Sequence, residues 1–249
     1  MLSSYLATKR GMTQAWDKVG NRMPITVLKA WPMVVTQVKN EDKDGYNSVQ
    51  VGSLRQKKNR LNNPQKGHLK TIKTKTPPVY LREVSIKEES QLKVGDEVTV
   101  DMVLKPGDKV KVRGISRGKG FTGVMSRWGF SGGPRTHGQS DRERAPGSIG
   151  QGTDPGRVHR GKKMPGRHGG AKVTVLNLTV VKVDPLDHEL WLSGAIPGSI
   201  NSLIEVSPIG ENRRFKGLAG MEEEKAEPEQ EVLKESEVGV KEEKESEDK

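Results

Sequence analysis

The chain has 249 residues, of which 31% are hydrophobic and 4% aromatic, so any core must be small for this length. It has no cysteine, which excludes disulfides and thiolate zinc sites, and no apolar run suited to a signal peptide or a membrane span. Residues 221–249 hold 13 acidic and 5 basic side chains, which leaves a net charge of +19 on residues 1–220, and this basic body indicates a nucleic-acid partner.

Residues 1–112 contain short β-branched runs separated by turn residues such as Asp44-Gly45 and Pro106-Gly107. No helical period is sustained there, and the basic stretch 55–76 is predicted to be a long loop with the chemistry of phosphate contact. Trp16, Trp31 and Trp191 lie in or beside strand-like segments and are expected in the core. The predicted strands are 25–31, 33–39, 47–54, 79–86, 97–103 and 109–115.

Residues 113–170 contain 16 of the 29 glycines, 12 basic residues and three acidic ones, without apolar periodicity. Nine of the twelve bases are arginine, which grips phosphate with two parallel donors and stacks on bases. Phe121, Trp128 and Phe130, with three histidines, are suited to stack on unpaired bases. This segment is therefore predicted to bind structured RNA and to order when RNA packs it; the alternative is a disordered basic linker.

Strands are predicted again at 173–183, 190–193 and 203–206. The simplest architecture joins residues 1–112 and 171–210 in one barrel-like β domain, from which 113–170 projects as an extension. The segment 221–249 is too rich in Glu and Lys to bury a core, so it is predicted to be a disordered acidic tail.

Several patterns that resemble chemical sites carry little weight. Gly118 to Gly123 matches G-x-G-x-x-G, but a dinucleotide site needs a helix at its end, and 128–134 cannot be helical. His137, His159 and His168 are separated by 22 and 9 residues, without metal-ligand spacing. Since nothing marks a nucleophile elbow either, no catalytic residue, metal, cofactor or small-molecule substrate is predicted.

A set of short motifs runs along the chain over about residues 2–208, beginning with Lys9-Arg10-Gly11-Met12-Thr13-Gln14. The motifs of the extension are Gly118-Lys119-Gly120-Phe121, Arg127-Trp128, Thr136-His137-Gly138, Pro146-Gly147-Ser148-Ile149-Gly150-Gln151 and Gly161-Lys162-Lys163-Met164. Motifs after residue 170 include Val173-Thr174-Val175 and Gly194-Ala195-Ile196-Pro197-Gly198. In this order the motifs resemble those of the bacterial form of the large-subunit ribosomal protein three family, which opens with K-x-G-M-T-Q.

The resemblance implies a mainly β fold: a six-stranded Greek-key barrel of the translation-protein type with a long irregular extension. It implies a structural, non-catalytic constituent of the cytoplasmic ribosome that binds large-subunit rRNA near its 3′ domain and nucleates early assembly. Its partners would be that rRNA and neighbouring large-subunit proteins, with no membrane, and the extension would reach towards the peptidyl transferase centre. The rRNA-binding residues expected are Lys9, Arg10, Arg113, Arg117, Lys119, Arg127, Trp128, Arg135, His137, Arg142, Arg144, Arg157, His159, Arg160, Lys162, Lys163, Arg167 and His168.

The tip of the extension would be Ser148, Ile149, Gly150, Gln151, Gly152 and Thr153. Many bacterial members have a second glutamine, which can be methylated, where this chain has Thr153, so that modification is not expected here. The acidic tail lies outside the resemblance; it would contact basic neighbouring proteins or shield the basic body before assembly. Two other functions stay open: a basic architectural DNA-binding protein, and an enzyme that binds nucleotide at the glycine motif.

Overall fold

The computed structural model describes residues 2–72, 76–86, 92–215 and 217–218, so the predicted acidic tail lies outside the described residues. The chain is mainly β. No helix within these ranges is long and apolar enough to cross a membrane. The strands are β1 (Tyr5–Trp16), β2 (Arg22–Lys29), β3 (Met33–Lys39), β4 (Ser48–Arg55), β5 (Pro78–Ser85), β6 (Glu97–Val98), β7 (Asp108–Ile115), β8 (Gly120–Thr122), β9 (Gly166–His168), β10 (Lys172–Asp184), β11 (Glu189–Ser193) and β12 (Leu203–Glu211).

Six strands close a barrel in the spatial order β1-β12-β7-β10-β11-β2, with every neighbouring pair antiparallel. β7, β10 and β11 follow one another as neighbours, and β12 returns beside β7, which is the Greek-key order. Alternate residues of β7 and β11 point inwards, so Val110, Val112, Leu190 and Leu192 are fully buried. The predicted six-stranded Greek-key barrel is therefore confirmed.

A second sheet, ordered β5-β4-β3-β6, lies between β2 and β7 in the chain. Its strands were expected in the barrel, so that part of the interpretation is wrong. The two sheets share one core, in which Val35 and Val49 pack in the same cluster as Tyr5 and Leu28 of the barrel. The Tyr5 hydroxyl donates to the Trp31 carbonyl oxygen at 2.8 Å, and burial, with Asp101 nearby, raises the pKa of its phenol.

Several local expectations differ from the structure. β1 was not predicted, and the strand expected at 97–103 is reduced to Glu97–Val98. The stretch 55–76 includes α2 (Asn63–His68) and two 3-10 turns, whereas α1 (Glu41–Asp44) precedes β4. Trp16 is 49% exposed, and Trp31 and Trp191 are only partly buried, so none of the three lies fully in the core.

Candidate nucleic-acid interface

The arm, defined here as residues 116–170, leaves the barrel between β7 and β10. Ser116 donates its amide to the Ala171 carbonyl, and Gly170 donates to the Ser116 carbonyl, at 2.9 and 3.0 Å. This pairing carries the β7–β10 ladder into the short antiparallel pair of β8 and β9. Because β7 runs to Ile115, Arg113 lies in the barrel wall, 3.5 Å from the Glu205 carboxylate across the β7–β12 pair.

Two glycines of the arm are required by close approach within the arm itself. Gly169 has φ +75°, and a β-carbon there would overlap the carbonyl oxygen of Arg117 on the opposite strand. Gly132 has φ +77°, and its β-carbon would overlap the Glu143 carbonyl oxygen. Only glycine combines this conformation with such contact, so part of the glycine content serves the arm's own fold.

Trp128 forms the centre of a cluster near the root of the arm. It ends α3 (Val124–Trp128), and its indole donates to the Met164 carbonyl oxygen at 2.9 Å. Arg127 donates to the same oxygen at 2.8 Å, and its guanidinium lies over the indole ring. The Lys163 ammonium also lies over this ring, 5.7 Å from its centroid. Trp128 thus has two cations against its ring, and 42% of its surface remains exposed.

The middle of the arm is a folded-back loop that forms an open cleft. Gly133 donates to the Glu143 carbonyl at 2.8 Å, and Arg135 forms an ion pair with the Glu143 carboxylate at 2.8 Å. The cleft beside this contact has a volume of about 540 Å³ and is lined by Phe130, Arg142, Pro146 and several backbone segments. Backbone groups, one aromatic ring and one guanidinium in an open cleft suit an unpaired nucleotide.

The arm carries a large excess of positive charge. It contains eleven Arg and Lys residues and only Asp141, Glu143 and Asp154 as acids. Within the described part of the chain, Arg135 is the one arm cation held in an ion pair, and most of the others are exposed. The predicted tip, 148–153, is exposed throughout, with the Ser148 hydroxyl donating to the Gly150 carbonyl at 2.9 Å. Unpaired guanidinium groups remain available for phosphate.

The histidines expected to stack on bases occupy different environments. His137 lies exposed in the loop at φ +63°, and His159 is exposed further along the arm. His168 belongs to β9, and its Nδ1 is buried with no hydrogen-bond partner among the described residues. His137 and His159 therefore have freer access to an RNA surface than His168.

Lys9 and Arg10 lie on the barrel rather than on the arm. The Lys9 ammonium donates to the carbonyls of Ile196 and Gly198 at 2.8 and 3.2 Å, which fixes the loop that packs against Ile115 at the arm's root. Arg10 forms an ion pair with Glu189 at 2.7 Å. Both cations thus have protein partners in the barrel.

A second basic surface lies on the stretch 55–76, for which the sequence predicted phosphate contact without naming individual residues. Lys58, Lys66 and Lys70 line a cleft of about 270 Å³ on the α2 segment, together with Leu61 and Leu69. Leu61 and Leu69 pack against Val34 of the second sheet, which anchors this segment. The lysine density of 55–76 indicated the basic surface, but the helix within it was not predicted because α2 has no apolar stripe.

The glycine motif has a different setting from the one expected. Residues 129–134 are not helical, as expected, but α3 (Val124–Trp128) opens directly after Gly123, so a short helix does follow the motif and the absence of one was wrongly inferred. However, β8 lies inside the motif and pairs with β9 in an antiparallel ribbon, which is not the strand–turn–helix of a dinucleotide site. Among the described residues no cluster of His, Asp or Glu is arranged to hold a metal ion.

Comparison with known proteins gives concordant matches across barrel and arm. The profile of the family described as Ribosomal protein L3 matches residues 2–192. The Large ribosomal subunit protein uL3 of Herpetosiphon aurantiacus is 47% identical over 207 residues, covering 83% of this chain and 96% of the relative. The protein of the same name from Acidothermus cellulolyticus is 46% identical over 201 residues, covering 81% and 90%, and that of Gloeothece citriformis is 45% identical over 204 residues, covering 82% and 95%.

Proposed function

The chain belongs to the ribosomal protein L3 family, and from this premise we propose that it is a structural constituent of the large ribosomal subunit that binds rRNA through its arm. Its barrel would bind near the 3′ domain of the rRNA early in assembly, and the tip, 148–153, would point towards the peptidyl transferase centre. It would act in the cytoplasm as part of the ribosome, with rRNA and neighbouring ribosomal proteins as partners and without catalysing a reaction.

The observation that carries this proposal is the continuity of the family match through the arm. One profile spans residues 2–192, so the barrel strands β1, β2, β7 and β10, nearly all of β11 and the whole cationic arm belong to the same family unit. An arm with eleven basic and three acidic residues, mostly exposed, is an electrostatic counterpart for an RNA backbone. Trp128, Phe130 and the cleft beside Arg142 add surfaces that would recognise unpaired bases.

The test is a binding comparison between a transcript of the large-subunit rRNA 3′ domain and a random-sequence RNA of equal length. The full chain is expected to prefer the rRNA transcript about 100-fold or more at physiological salt, since nucleic-acid specificity commonly exceeds this. Equal affinity for the two RNAs would refute the proposal. A preference for duplex DNA of equal charge would instead support the architectural DNA-binding function.

A further inference from the structure

We propose that the acidic segment 221–249 of this chain binds the cationic arm in the free protein and is displaced when RNA occupies the arm. This interaction concerns the chain before it reaches the ribosome, so it goes beyond the function proposed above. The arm is the binding surface, and its occupant in the absence of RNA is a segment of the same chain. Charge, reach and the limits of the family match support this assignment.

The charges of the two parts are matched in size and opposite in sign. The arm, 116–170, carries eleven basic and three acidic residues, a net charge of +8. Residues 221–249 carry 13 acidic and 5 basic residues, a net charge of −8. Among the described arm cations only Arg135 has an ion-pair partner, so ten of the eleven have none within the part of the chain that the structure describes.

The acidic segment starts at the far end of the barrel but is long enough to reach the arm. Leu218 is buried, bridged to Asp17 and packed in one cluster with Phe215, which lies beside Gly107 just before β7, whereas the arm leaves the other end of β7. Eight residues of β7 at about 3.3 Å each separate the two ends by roughly 26 Å. Thirty-one residues follow Leu218, and a flexible chain of that length would have an end-to-end distance of roughly 30 Å, which is enough to reach the arm.

The acidic segment lies outside the part of the chain that the family profile matches. The profile ends at residue 192, after the arm and before residues 221–249. The relative from Herpetosiphon aurantiacus is aligned with 207 residues of this chain, which leaves 42 residues outside that alignment. The family match therefore accounts for the arm but gives no account of the acidic segment.

Tethering makes even a weak contact effective. A segment joined by a short flexible linker presents itself at a local concentration in the millimolar range, which competes with loosely bound polyanions. An RNA that neutralises many arm cations at once and also fills the cleft would still displace the segment, because its contacts are more numerous. The acidic segment would thus raise selectivity by weakening non-cognate RNA binding more than cognate binding.

The first experiment uses two full-length variants and polyuridine as a non-cognate probe. In one variant all thirteen acids of 221–249 are changed to their amides; in the matched control the five lysines of that segment are changed to glutamine. At about 0.1 M salt, where charges within roughly 10 Å still interact, the amide variant should bind polyuridine five- to tenfold more tightly than the natural chain. The lysine variant should bind it more weakly. Unchanged affinity in the amide variant would overturn the proposal.

The second experiment separates contact from a general change in net charge. Because the chain has no cysteine, Ser148→Cys and Ser246→Cys introduce a single pair of labelling sites for energy transfer. Transfer should be higher in the natural background than in the amide variant, and polyuridine should lower it. Equal transfer in both backgrounds would refute docking, whatever the affinities. These outcomes are independent of rRNA selectivity, whose loss would refute the proposed function while leaving the docking result intact.

Discussion

Gly169 lies between β9 and β10 against Arg117, which joins β7 to β8, and it has no room for a side chain. A Gly169→Ala substitution should disrupt the arm's root, because its methyl group would overlap the Arg117 carbonyl oxygen and φ is +75°. Trypsin should then cleave at arm arginines several-fold faster, while the main thermal transition changes little. Limited proteolysis followed by mass spectrometry, with circular dichroism for thermal unfolding, checks both.

Gly161→Ala is the matched control for this substitution. Gly161 has nearly the same φ, +77°, but nothing lies within 4 Å of the position that its β-carbon would occupy. It should cost only the roughly 1–2 kcal/mol of a left-handed alanine, with no clash added. Equal cleavage of the two alanine variants would show that the close approach to Arg117 is unimportant.

Lys9 is a predicted RNA contact whose ammonium also has structural partners within the protein. Lys9→Met keeps the chain length but leaves the carbonyls of Ile196 and Gly198 without their charged donor. The free energy of unfolding should fall by about 1–3 kcal/mol, the usual cost of unsatisfied buried groups. Denaturant unfolding measures this change directly.

Arg10→Met provides the comparison at the neighbouring position. Arg10 is largely exposed and its ion pair with Glu189 is at the surface, so the loss should stay below about 1 kcal/mol. If Lys9→Met left unfolding unchanged and weakened rRNA binding, the assignment of Lys9 to the barrel loop would be wrong and the RNA contact implied by the family motif would be favoured.

The second sheet depends in part on a charged cluster that spans β3 and β5. Lys39 donates to Glu83 at 2.6 Å and to the Tyr46 hydroxyl, which itself donates to Glu83 at 2.9 Å. The hydrogen bond from Lys39, followed by that from Tyr46, lowers the pKa of Glu83. The hydrogen bonds of Lys39 to Glu83 and then to Tyr46 raise the pKa of Lys39. A lowered carboxyl pKa stabilises the fold above the unfolded pKa, and this contribution is lost as pH falls through the folded pKa.

Glu83→Gln should therefore lower the melting temperature at neutral pH. The difference in melting temperature between the natural chain and the variant should shrink as pH falls below the ordinary pKa of a glutamate. Melting curves of both proteins from neutral to acid pH test this. Glu41→Gln on the adjoining α1 is the control, since Glu41 forms no ion pair in the described part of the chain. A difference for Glu83→Gln that stayed constant into acid would contradict the role of the Glu83 charge.

At the scale of elements, local patterns predicted strands well where alternate residues face a core. The bounds 33–39 are those of β3, and the predictions near β7, β10 and β11 agree within a few residues. β1 was missed because its first four residues are all buried and most of the rest are exposed, which hides the two-residue period. α2 was missed because a six-residue helix rich in polar residues has no apolar stripe to detect.

The division of strands between two sheets could not be read from the sequence. Each of the strands β3, β4 and β5 has the composition of a half-buried strand, and nothing local indicates whether its partner lies in the barrel. Pairing depends on contacts between residues distant in the chain, such as Met33 with Val98. The Greek-key order itself came from family resemblance, and the strand pairs bear it out.

At the scale of the whole molecule, composition located the cationic segment but not its internal construction. The excess of Arg and Gly over 113–170 marked it, and the resemblance placed its motifs in order. The contact of Trp128 and Arg127 with the Met164 carbonyl joins residues 36 and 37 positions apart, and no local pattern predicts it. The sequence likewise could not show which arm cations have ion-pair or hydrogen-bond partners within the protein, because those partners are brought close only by folding.

The exposed cations of the arm should set the salt dependence of RNA binding without contributing to folding. Arg142, Arg144 and Arg157 are exposed and form no ion pair within the described residues, so changing all three to Ala should leave the barrel's thermal transition unchanged. If each neutralises one phosphate, the slope of log affinity against log salt should fall in magnitude by about 2–3.

The control changes Arg22, Arg213 and Arg214, exposed residues away from the arm, and should alter the slope far less. Equal slopes for the two triple variants would place the RNA elsewhere on the molecule, whereas loss of the thermal transition in the arm variant would refute the independence of barrel and arm.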